Sequence, residues 1–445
     1  MSDLLGSIWW MVVSLGILVT FHEFGHYWVA RRCGVHVLRF SVGFGKPLWM
    51  RRNAIGTEFA LAAIPLGGYV KMLDEREFDV PAGQRPLAFN NKTVWQRIAI
   101  TAAGPLANLL LCVALLWAMF LIGRADYSAT LGPVTGLAAQ AGLGSDARLK
   151  QIDGRQVTTW SEATLALTLA GMDRRDVALA WTDAQGVERR GTLPLSQLPA
   201  DTPERAIVQA AGLGWQFQQV PPRVGGLIPG GAADGVLLPG DLLLAVDGKR
   251  IQDAAEVAPL LQQLGQQPHP GLLEVERDGQ RLALEITPQQ KDGRWLLGVQ
   301  FAAPSAPLPD ARQQYGPLAA LPAALRETGK LTADTLGMMR RLVTGQASLQ
   351  NISGPVTIAR VANASAQRGA DWFLYFLALM SLSLCIINLL PIPILDGGHL
   401  LYYLIELVKG SPLSEQAMAL GQSIGLAILA AMMGLAFYND ILGLF

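Results

Sequence analysis

The sequence predicts a polytopic α-helical membrane protein with four transmembrane helices and a long, mainly β region between the second and the third. Of its 445 residues, 51% are hydrophobic and only 16% are charged, a composition typical of membrane proteins. The formal net charge is zero, so the charge balance indicates neither nucleic acid nor an acidic partner. Four apolar stretches, the first interrupted by a His-Glu motif, approach the length that crosses a hydrocarbon core. They cover residues 4–30, 98–122, 372–395 and 417–438.

The first apolar stretch contains His22, Glu23 and His26 in the pattern His-Glu-x-x-His. Histidines four residues apart lie on one face of a helix and can bind one metal ion, and the glutamate can act as general base. The alternative is a pair of core histidines bonded to neighbouring carbonyls, with the acid paired to another chain. Ionisable residues at membrane depth are costly and therefore usually functional. The motif predicts a zinc protease that cuts peptide bonds within the bilayer.

Lysine and arginine residues predict the orientation of the spans. Segment 31–97 contains eleven of them, and such residues stay on the cytoplasmic side of a membrane. We therefore expect 31–97 in the cytoplasm, with the active site facing that side, and 123–371 on the outer side. The amino-terminal stretch lacks the basic region of a signal peptide, so we expect the first helix to be retained.

The outer region contains an internal repeat with an offset of 94 residues. The sequence IDGR at 152–155 returns as VDGK at 246–249, each as a turn between two short apolar strands followed by a helical stretch. The second copy resembles a PDZ domain. The first copy departs from that pattern, because it has Ser-Asp-Ala at 145–147 where the second has Pro-Gly-Asp at 239–241.

Two uses of the repeat remain open. PDZ domains bind extended peptides as an added strand, but the same pair can serve as rigid spacers that bind nothing. Residues 303–317 are predicted as a Pro/Ala-rich linker. Residues 318–344 are predicted as an amphipathic helix that lies on the outer membrane surface or caps the domain pair.

The end of the third span offers a third metal ligand. Pro391 and Pro393 break a helix, and irregular backbone at membrane depth is tolerated only where it lines a cavity. Asp396 follows directly and completes a catalytic zinc site with two imidazoles and a water, although it could also cap a helix. His399 ranks below Asp396 as a ligand. Asn388 can donate to a developing oxyanion or hold substrate backbone, or it can simply pack between helices.

Together these features resemble the site-2 protease family of intramembrane zinc metalloproteases. The resemblance covers essentially the whole chain, and it rests on the four spans, the tandem PDZ pattern, His22-Glu23-x-x-His26 and Asn388-x-x-Pro391-x-Pro393-x-Leu395-Asp396-Gly397. It implies one Zn²⁺ per chain with His22, His26 and Asp396 as ligands. It also implies Glu23 as catalytic base and Asn388 as a substrate or transition-state contact.

The same resemblance implies a location and a class of partner. The expected enzyme lies in a bacterial inner membrane, with its PDZ domains in the periplasm. Its expected substrates are single-span membrane proteins, such as an anti-sigma factor that another protease has already trimmed, and remnant signal peptides. No nucleic acid and no small-molecule cofactor is expected.

The resemblance also implies a structure and a role for segment 35–73. It is too polar to span a membrane and too apolar for a solvated loop. Its strand-like runs at 35–42 and 57–63 lie around Gly43-Phe44-Gly45, and the segment ends in the sequence PLGGYVKM at 65–72. The family implies a membrane-re-entrant β element whose open strand edge holds an extended substrate. An ordinary cytoplasmic hairpin is the alternative. The expected substrate-binding residues are Gly43, Gly45, Gly67, Gly68, Tyr69, Asn388, Pro391 and Pro393.

Two functions from other classes compete with a protease. A membrane-bound PDZ scaffold with an inactive metal site would keep the repeat, and a transporter could use the intramembrane His and Asp as a relay, although no inverted repeat is visible. The predicted domain order is 1–34 (first transmembrane helix with the zinc motif), 35–97 (cytoplasmic or re-entrant β region), 98–122 (second transmembrane helix), 123–220 (degenerate first PDZ domain), 221–302 (second PDZ domain), 303–371 (linker and amphipathic helix), 372–398 (third transmembrane helix with the Asp ligand) and 399–445 (fourth transmembrane region).

Overall fold

In the computed structural model, the chain forms two compact units. One unit combines Met1–Ala125 with Gln313–Phe445, and the other is Asp126–Arg312. The structure describes residues 2–200, 202–217, 221–251, 253–266, 269–291, 293–302 and 308–443. Part of the predicted linker, 303–307, lies outside the described residues.

The described elements are eleven α-helices and eighteen strands, apart from short 3₁₀ turns. The helices are α1 (Ser2–Arg32), α2 (Val94–Ile122), α3 (Gly136–Gln140), α4 (Trp160–Met172), α5 (Ile207–Ala210), α6 (Val257–Leu264), α7 (Pro317–Val343), α8 (Pro355–Arg368), α9 (Ala370–Leu389), α10 (Asp396–Lys409) and α11 (Glu415–Leu442). The strands are β1 (Val37–Arg52), β2 (Glu58–Met72), β3 (Arg124–Asp126), β4 (Leu131–Val134), β5 (Arg148–Ile152), β6 (Arg155–Gln156), β7 (Val177–Thr182), β8 (Glu188–Leu193), β9 (Leu213–Trp215), β10 (Val224–Leu227), β11 (Leu242–Val246), β12 (Lys249–Arg250), β13 (Gly271–Arg277), β14 (Gln280–Ile286), β15 (Gln289–Lys291), β16 (Arg294–Leu296), β17 (Val299–Phe301) and β18 (Ala311–Gln313).

Within the described part of the chain, four helices are long and apolar enough to cross a membrane, namely α1, α2, α9 and α11. The prediction of a polytopic α-helical membrane protein with four spans is thereby confirmed. The third span is shorter than predicted, because α9 ends at Leu389, just before Pro391, whose ring cannot continue a helix. Helices α8 and α10 were not identified from the sequence, since both are too short and too polar to stand out as spans.

Helix α2 is the centre of the first unit. It begins at a capping box, in which the Thr93 hydroxyl accepts from the Gln96 N–H and the Gln96 side chain accepts from the Thr93 N–H. Its close approach to α1 depends on Gly25, since a Cβ there would overlap the backbone of Ala103. On its other side α2 shares an apolar core with α7 and α9.

Helix α7 is the predicted amphipathic helix, shifted by one residue at each end. Its Thr328 hydroxyl lies 3.9 Å from Cys112 Sγ, well inside α2, and its buried alanines join the core of α2 and α9. Neither predicted placement, on the outer surface or over the domain pair, anticipated this packing along a span.

The end of α11 is attached to the start of α8 through Asp440. This buried carboxylate accepts from the backbone N–H groups of Gly354 at 3.2 Å and Val356 at 2.8 Å, and from the Thr357 hydroxyl at 2.6 Å. It therefore caps α8 from another helix and satisfies donors that a helix amino terminus leaves unpaired.

Strands β1 and β2 form a hairpin that is bent twice. Residues 39–42 of β1 align with 58–61 of β2 on one side and with 68–71 on the other, while the far half of β1, 47–52, aligns with 58–62. The bends fall at glycines with positive φ, which other residues adopt only at a cost. Residues 68–72 thus form an edge, and no second strand pairs with that edge in the described part of the chain.

The second unit contains two four-stranded sheets with matching order. One runs β6-β5-β7-β8 and the other β12-β11-β13-β14, and a helix, α4 or α6, follows the first two strands of each. The two repeated Asp-Gly pairs both adopt positive φ and connect adjacent strands as two-residue turns.

A charged pair distinguishes the two sheets. In the second, the Asp241 carboxylate is 1% exposed and accepts two hydrogen bonds from Arg277, at 2.8 and 2.7 Å. In the first, the buried Ala147 occupies the repeat position of Asp241, so this copy has no corresponding acid. This difference is the structural consequence of the Ser-Asp-Ala turn at 145–147.

Candidate metal centre

Three side chains converge where α1 meets the start of α10. His22 and His26 lie on one face of α1, and Asp396 is the first residue of α10. His22 Nε2 and His26 Nε2 are 3.3 Å apart, and Asp396 Oδ2 lies 3.2 Å from the first and 3.4 Å from the second. Among the described residues, this cluster has the spacing that could hold a metal ion.

The three distances fit a tetrahedral zinc site. With metal–ligand distances of about 2.0–2.2 Å, two ligand atoms of a tetrahedral ion are about 3.3–3.6 Å apart. The observed 3.2–3.4 Å triangle matches that edge. Asp396 Oδ2 is buried with no hydrogen-bond donor in the described structure, as expected for an atom whose partner is a cation. Two imidazole nitrogens and one carboxylate oxygen are also the donor set of catalytic zinc.

Helix α2 supports both histidines from behind. His26 Nδ1 lies 2.8 Å from the Ile100 carbonyl oxygen, so Nδ1 carries the proton and Nε2 is free to bind a metal. His22 Nδ1 lies 3.2 Å from the side-chain amide of Asn108. Gly104 lies between Ile100 and Asn108 in α2, and a Cβ there would overlap the His26 ring.

The contribution of α2 was missed from the sequence. Asn108 is a polar residue inside a span, which is itself a signal of function. Ile100, however, acts through its backbone, and Gly104 through the absence of a side chain. Nothing in the sequence of α2 shows that these residues face the zinc motif, because the contact joins positions about eighty residues apart.

The loop between α9 and α10 places Asp396. Leu395 N–H donates to the Ile392 carbonyl at 3.0 Å, and Ile394 adopts a φ of 102°, which is unusual for a β-branched residue. Gly397 and Gly398 let α10 begin directly against this loop, since a Cβ on either would overlap loop backbone. Pro393 packs in turn against Gly425 of α11.

Glu23 faces a cavity of about 910 Å³ together with His26 and Asp396. Strand β2 lies against it, because the Val70 N–H hydrogen-bonds the Glu23 carboxylate and a Cβ on Gly68 would be 3.0 Å from Glu23 Cγ. Glu23, two residues of the candidate metal cluster and an edge strand therefore meet in one cavity.

Charged side chains line part of the remaining cavity wall. Arg97 Nη2 and Glu406 Oε1 form an ion pair at 2.6 Å with both side chains 13% exposed. Asp74 is paired with Arg76 at 2.9 Å. Burial disfavours the Asp74 carboxylate, but the hydrogen bonds from Arg76 outweigh it and hold the pKa of Asp74 below its ordinary value. Both acids are thus paired with an arginine at the cavity wall.

The other residues predicted near the end of the third span lie outside the three-residue cluster. His399 lines the cavity but is not a member of the three-residue cluster. Asn388 donates from Nδ2 to the Leu384 carbonyl of its own helix at 3.0 Å, so its predicted catalytic role stays a prediction. Pro391 and Pro393 shape the loop that carries Asp396.

The predicted substrate-binding residues of the hairpin lie along its bends and its edge. Gly43, Gly45 and Gly67 have positive φ of 91°, 85° and 129° and mark the bends. Gly68 and Tyr69 begin the edge segment, where the Tyr69 ring stacks on Phe44 at 6.2 Å and lines the cavity.

Comparison with known proteins identifies the family. The family described as Peptidase family M50 matches residues 10–432. The chain belongs to Peptidase family M50. Its relatives extend over its whole length and support the assignment of metal and chemistry.

Three relatives illustrate the similarity of this M50 peptidase to other proteins. A candidate zinc metalloprotease of Xylella fastidiosa (strain 9a5c) is 60% identical over 100% of both chains. The protease RseP of Yersinia pestis is 41% identical over 99% of both chains. The regulator of sigma-E protease RseP of Escherichia coli (strain K12) is 40% identical, over 96% of this chain and 97% of the relative.

This M50 peptidase is therefore a zinc metalloendopeptidase. The predicted enzyme class, the predicted Zn²⁺ cofactor and the resemblance to site-2 proteases are confirmed by the family and by the names of its relatives. The transporter hypothesis is wrong.

Proposed function

We propose that this M50 peptidase cleaves peptide bonds inside the transmembrane segments of single-span membrane proteins. The observation that supports the proposal is the location of the candidate site. His22, Glu23 and His26 belong to a helix long and apolar enough to cross a membrane, and Asp396 follows another such helix after a short loop. A site built in this way meets its substrate at membrane depth.

The proposed chemistry assigns one role to each side chain. His22 Nε2, His26 Nε2 and Asp396 Oδ2 would hold the zinc ion, since these three atoms already converge. When bound, zinc polarises the scissile carbonyl and makes water more acidic. Glu23 takes the proton from the attacking water and passes it to the leaving amine. Asn388 is assigned to the substrate backbone or the developing oxyanion, for which its amide must turn away from the Leu384 carbonyl.

The open edge of β2 is proposed to hold the substrate in extended form. A transmembrane helix hides its peptide groups in its own hydrogen bonds, so it must unwind before hydrolysis. Leu73 N–H donates towards β1, to the His36 carbonyl at 2.9 Å. Because peptide groups alternate along a strand, those of residues 68, 70 and 72 face away from β1, and the Val70 N–H indeed meets Glu23. A substrate strand paired with this edge lies beside the base and the metal ligands.

We further propose that the hairpin re-enters the membrane from the cytoplasmic side. In its far half, Leu48, Trp49 and Met50 are 72%, 55% and 50% exposed. They are followed directly by Arg51 and Arg52. Exposed apolar side chains next to arginines are typical of segments at a membrane interface on the cytoplasmic side. This placement brings the edge of β2 to the depth of the candidate metal centre.

Residues 123–220 and 221–302, which include most of the second unit, are proposed to be a tandem of periplasmic PDZ domains. The matching strand order of its two sheets and the Asp-Gly turns support this interpretation. No His/Cys/Asp/Glu cluster suited to a metal ion lies among its described residues. We therefore assign the pair a filtering role, in which bulky outer domains of uncleaved substrates are excluded.

Deletion of residues 127–302 tests the filter. The shortened enzyme should still cleave a substrate without an outer domain and should also accept one that carries it. A shortened enzyme that is folded in the membrane yet inert on the short substrate would contradict a filtering role.

The proposed physiological role is regulated intramembrane proteolysis at a bacterial inner membrane. The proposed substrates are an anti-sigma factor that has lost its outer domain and remnant signal peptides, in keeping with relatives named regulators of sigma-E. An inactive PDZ scaffold is not favoured, because the cluster retains all three ligands and the base.

Cleavage of a purified single-span peptide in lipid vesicles tests the activity, with product masses locating the cut. We expect a cut within the apolar segment by the unmodified enzyme, inhibition by a zinc chelator, and no cut by Glu23→Gln, although that variant retains zinc. Glu77→Gln, which removes an exposed acid from the wall of the same cavity, is the matched control and should cleave normally. Robust cleavage by Glu23→Gln would sink the proposal.

A further inference from the structure

Asn108 is the polar side chain in the wall behind the candidate metal centre. It is 0% exposed, in the middle of α2. Its backbone carbonyl accepts from the Ser381 hydroxyl of α9 at 2.8 Å, so the residue lies between two spans. Its amide nitrogen lies 3.2 Å from His22 Nδ1, and its amide oxygen has no hydrogen-bond partner in the described structure. A buried amide oxygen without a donor needs an explanation, because such groups are rare.

The neighbouring histidine shows what a metal ligand requires. His26 donates its Nδ1 proton to the Ile100 carbonyl at 2.8 Å, which leaves Nε2 bare. A neutral imidazole has one N–H, so a histidine that binds zinc through Nε2 carries its proton on Nδ1 and needs an acceptor there. His22 Nε2 is one of the three atoms of the candidate metal cluster, together with His26 Nε2 and Asp396 Oδ2. Its Nδ1 proton would therefore face the Asn108 amide.

We infer that Asn108 accepts the Nδ1 proton of His22 through its side-chain oxygen when zinc is bound, and so positions His22 as a ligand. Asn108 Nδ2 lies 3.2 Å from His22 Nδ1. When His22 Nδ1 carries the proton, both atoms are hydrogen-bond donors, and two donors cannot bond to each other. A half turn of the amide brings Oδ1 to His22 and gives the unpartnered oxygen a donor. Hydrogen-bond partners decide between these two amide orientations. The inference rests on the zinc site of the proposed function and adds a residue to it.

The geometry of α2 makes this role specific to position 108. Ile100, Gly104 and Asn108 are spaced four residues apart and thus lie on one helix face. The first provides a carbonyl for His26, the second provides space for the ring, and the third provides an amide for His22. Pro105 lies inside this turn, where it removes one backbone hydrogen bond of the helix. One helix thus supplies an acceptor to each histidine ligand.

Zinc affinity is the measurement that tests Asn108, determined by competition with a chromophoric chelator on the full-length protein in detergent. Asn108→Leu keeps the approximate shape of the side chain but removes the acceptor. It should weaken zinc binding about 10- to 100-fold, the usual effect of losing such an outer partner. Asn108→Asp keeps only acceptors and should bind zinc within about threefold of the unmodified protein.

Cobalt(II) substitution gives a second readout that does not depend on activity. Its visible absorption reports the geometry of the bound ion, so Asn108→Leu should alter the bands and Asn108→Asp should restore them. Ser381→Ala is the matched control for packing, because it removes the hydroxyl bonded to the Asn108 backbone and leaves the amide in place. This control should bind zinc normally.

The outcomes separate Asn108 from the metal centre itself. His22→Phe must lose zinc; if it does not, the proposed zinc site is wrong. If His22→Phe loses zinc but Asn108→Leu binds as tightly as the unmodified protein, only the role of Asn108 is overturned. Equal weakening in Asn108→Leu and Asn108→Asp would also overturn it, since that result means the residue serves packing and not hydrogen bonding.

Discussion

Replacing Met72 with proline tests whether the open edge of β2 captures an extended substrate. Met72 is the last residue of the strand, it lines the cavity, and the alternation of peptide groups turns its N–H away from β1. Proline is tolerated in an edge strand when its missing N–H faced outward. Met72→Pro should therefore leave the hairpin and the zinc site intact while it removes one donor from the edge.

The expected loss follows from one hydrogen bond. A hydrogen bond contributes a net of about 0.5–1.5 kcal/mol, which corresponds to about a 2- to 12-fold change in an equilibrium. For a stable transmembrane helix, the bound substrate is mostly wound, so kcat is proportional to the small extended fraction and falls by this whole factor. For a substrate loosened by Gly or Pro near the scissile bond, most bound molecules are already extended, and kcat falls little.

The assay compares kcat for the two substrates at saturating concentration on the same enzyme variant. Val70→Pro is the informative contrast, because the Val70 N–H contacts Glu23 and its loss should reduce kcat for both substrates equally. Lys71→Pro is the control for folding, since its N–H points into the hairpin and its loss should destabilise β2 itself. Equal losses on both substrates with Met72→Pro would refute strand capture and indicate a general role in positioning the active site.

Three further predictions concern other parts of the chain. The Arg277 guanidinium holds the pKa of Asp241 below its ordinary value. The free energy of unfolding of the second unit should therefore decrease as the pH falls through that lowered pKa. Asp241→Asn should lower this free energy by about 2–3 kcal/mol at pH 7, measured by denaturant titration, and should remove the contribution of this site to the acid dependence. An Asp241→Asn protein as stable as the unmodified one would contradict this. Asp440→Ala should cost about 1–2 kcal/mol in thermal unfolding in detergent, because it leaves the start of α8 uncapped; an unchanged midpoint would mean that the cap is not stabilising. A cysteine at Gln140 should react with an impermeant thiol reagent added outside the inner membrane and one at Gln84 should not; the reverse pattern would overturn the orientation.

The spans and the candidate metal ligands were predictable because each has a local signal. A helix that crosses a membrane needs a long apolar stretch, and His-Glu-x-x-His places two candidate ligands on one helix face with a candidate base beside them. Asp396 could be identified because Pro391 and Pro393, just before it, indicate irregular backbone at membrane depth. The structure brings these residues together at distances that no local pattern encodes.

The supporting contacts were not predictable because they depend on packing between distant segments. The Ile100 carbonyl and the space left by Gly104 have no chemical signature of their own. The edge of β2 beside Glu23 results from bends at Gly43 and Gly67, and only the register of the hairpin shows which segment is left at the edge. Helix α8 depends for its cap on Asp440, some eighty residues later.

The zinc content of purified variants tests the metal centre most directly. We predict about one zinc per chain in the unmodified protein and in Glu23→Gln, because the base is not a ligand, and almost none in Asp396→Ala. His399→Phe is the matched control, since His399 lines the same cavity outside the three-residue cluster, and it should keep its zinc. An Asp396→Ala protein that retains one zinc per chain, or a His399→Phe protein that loses it, would contradict the assignment of His22, His26 and Asp396 as the zinc ligands.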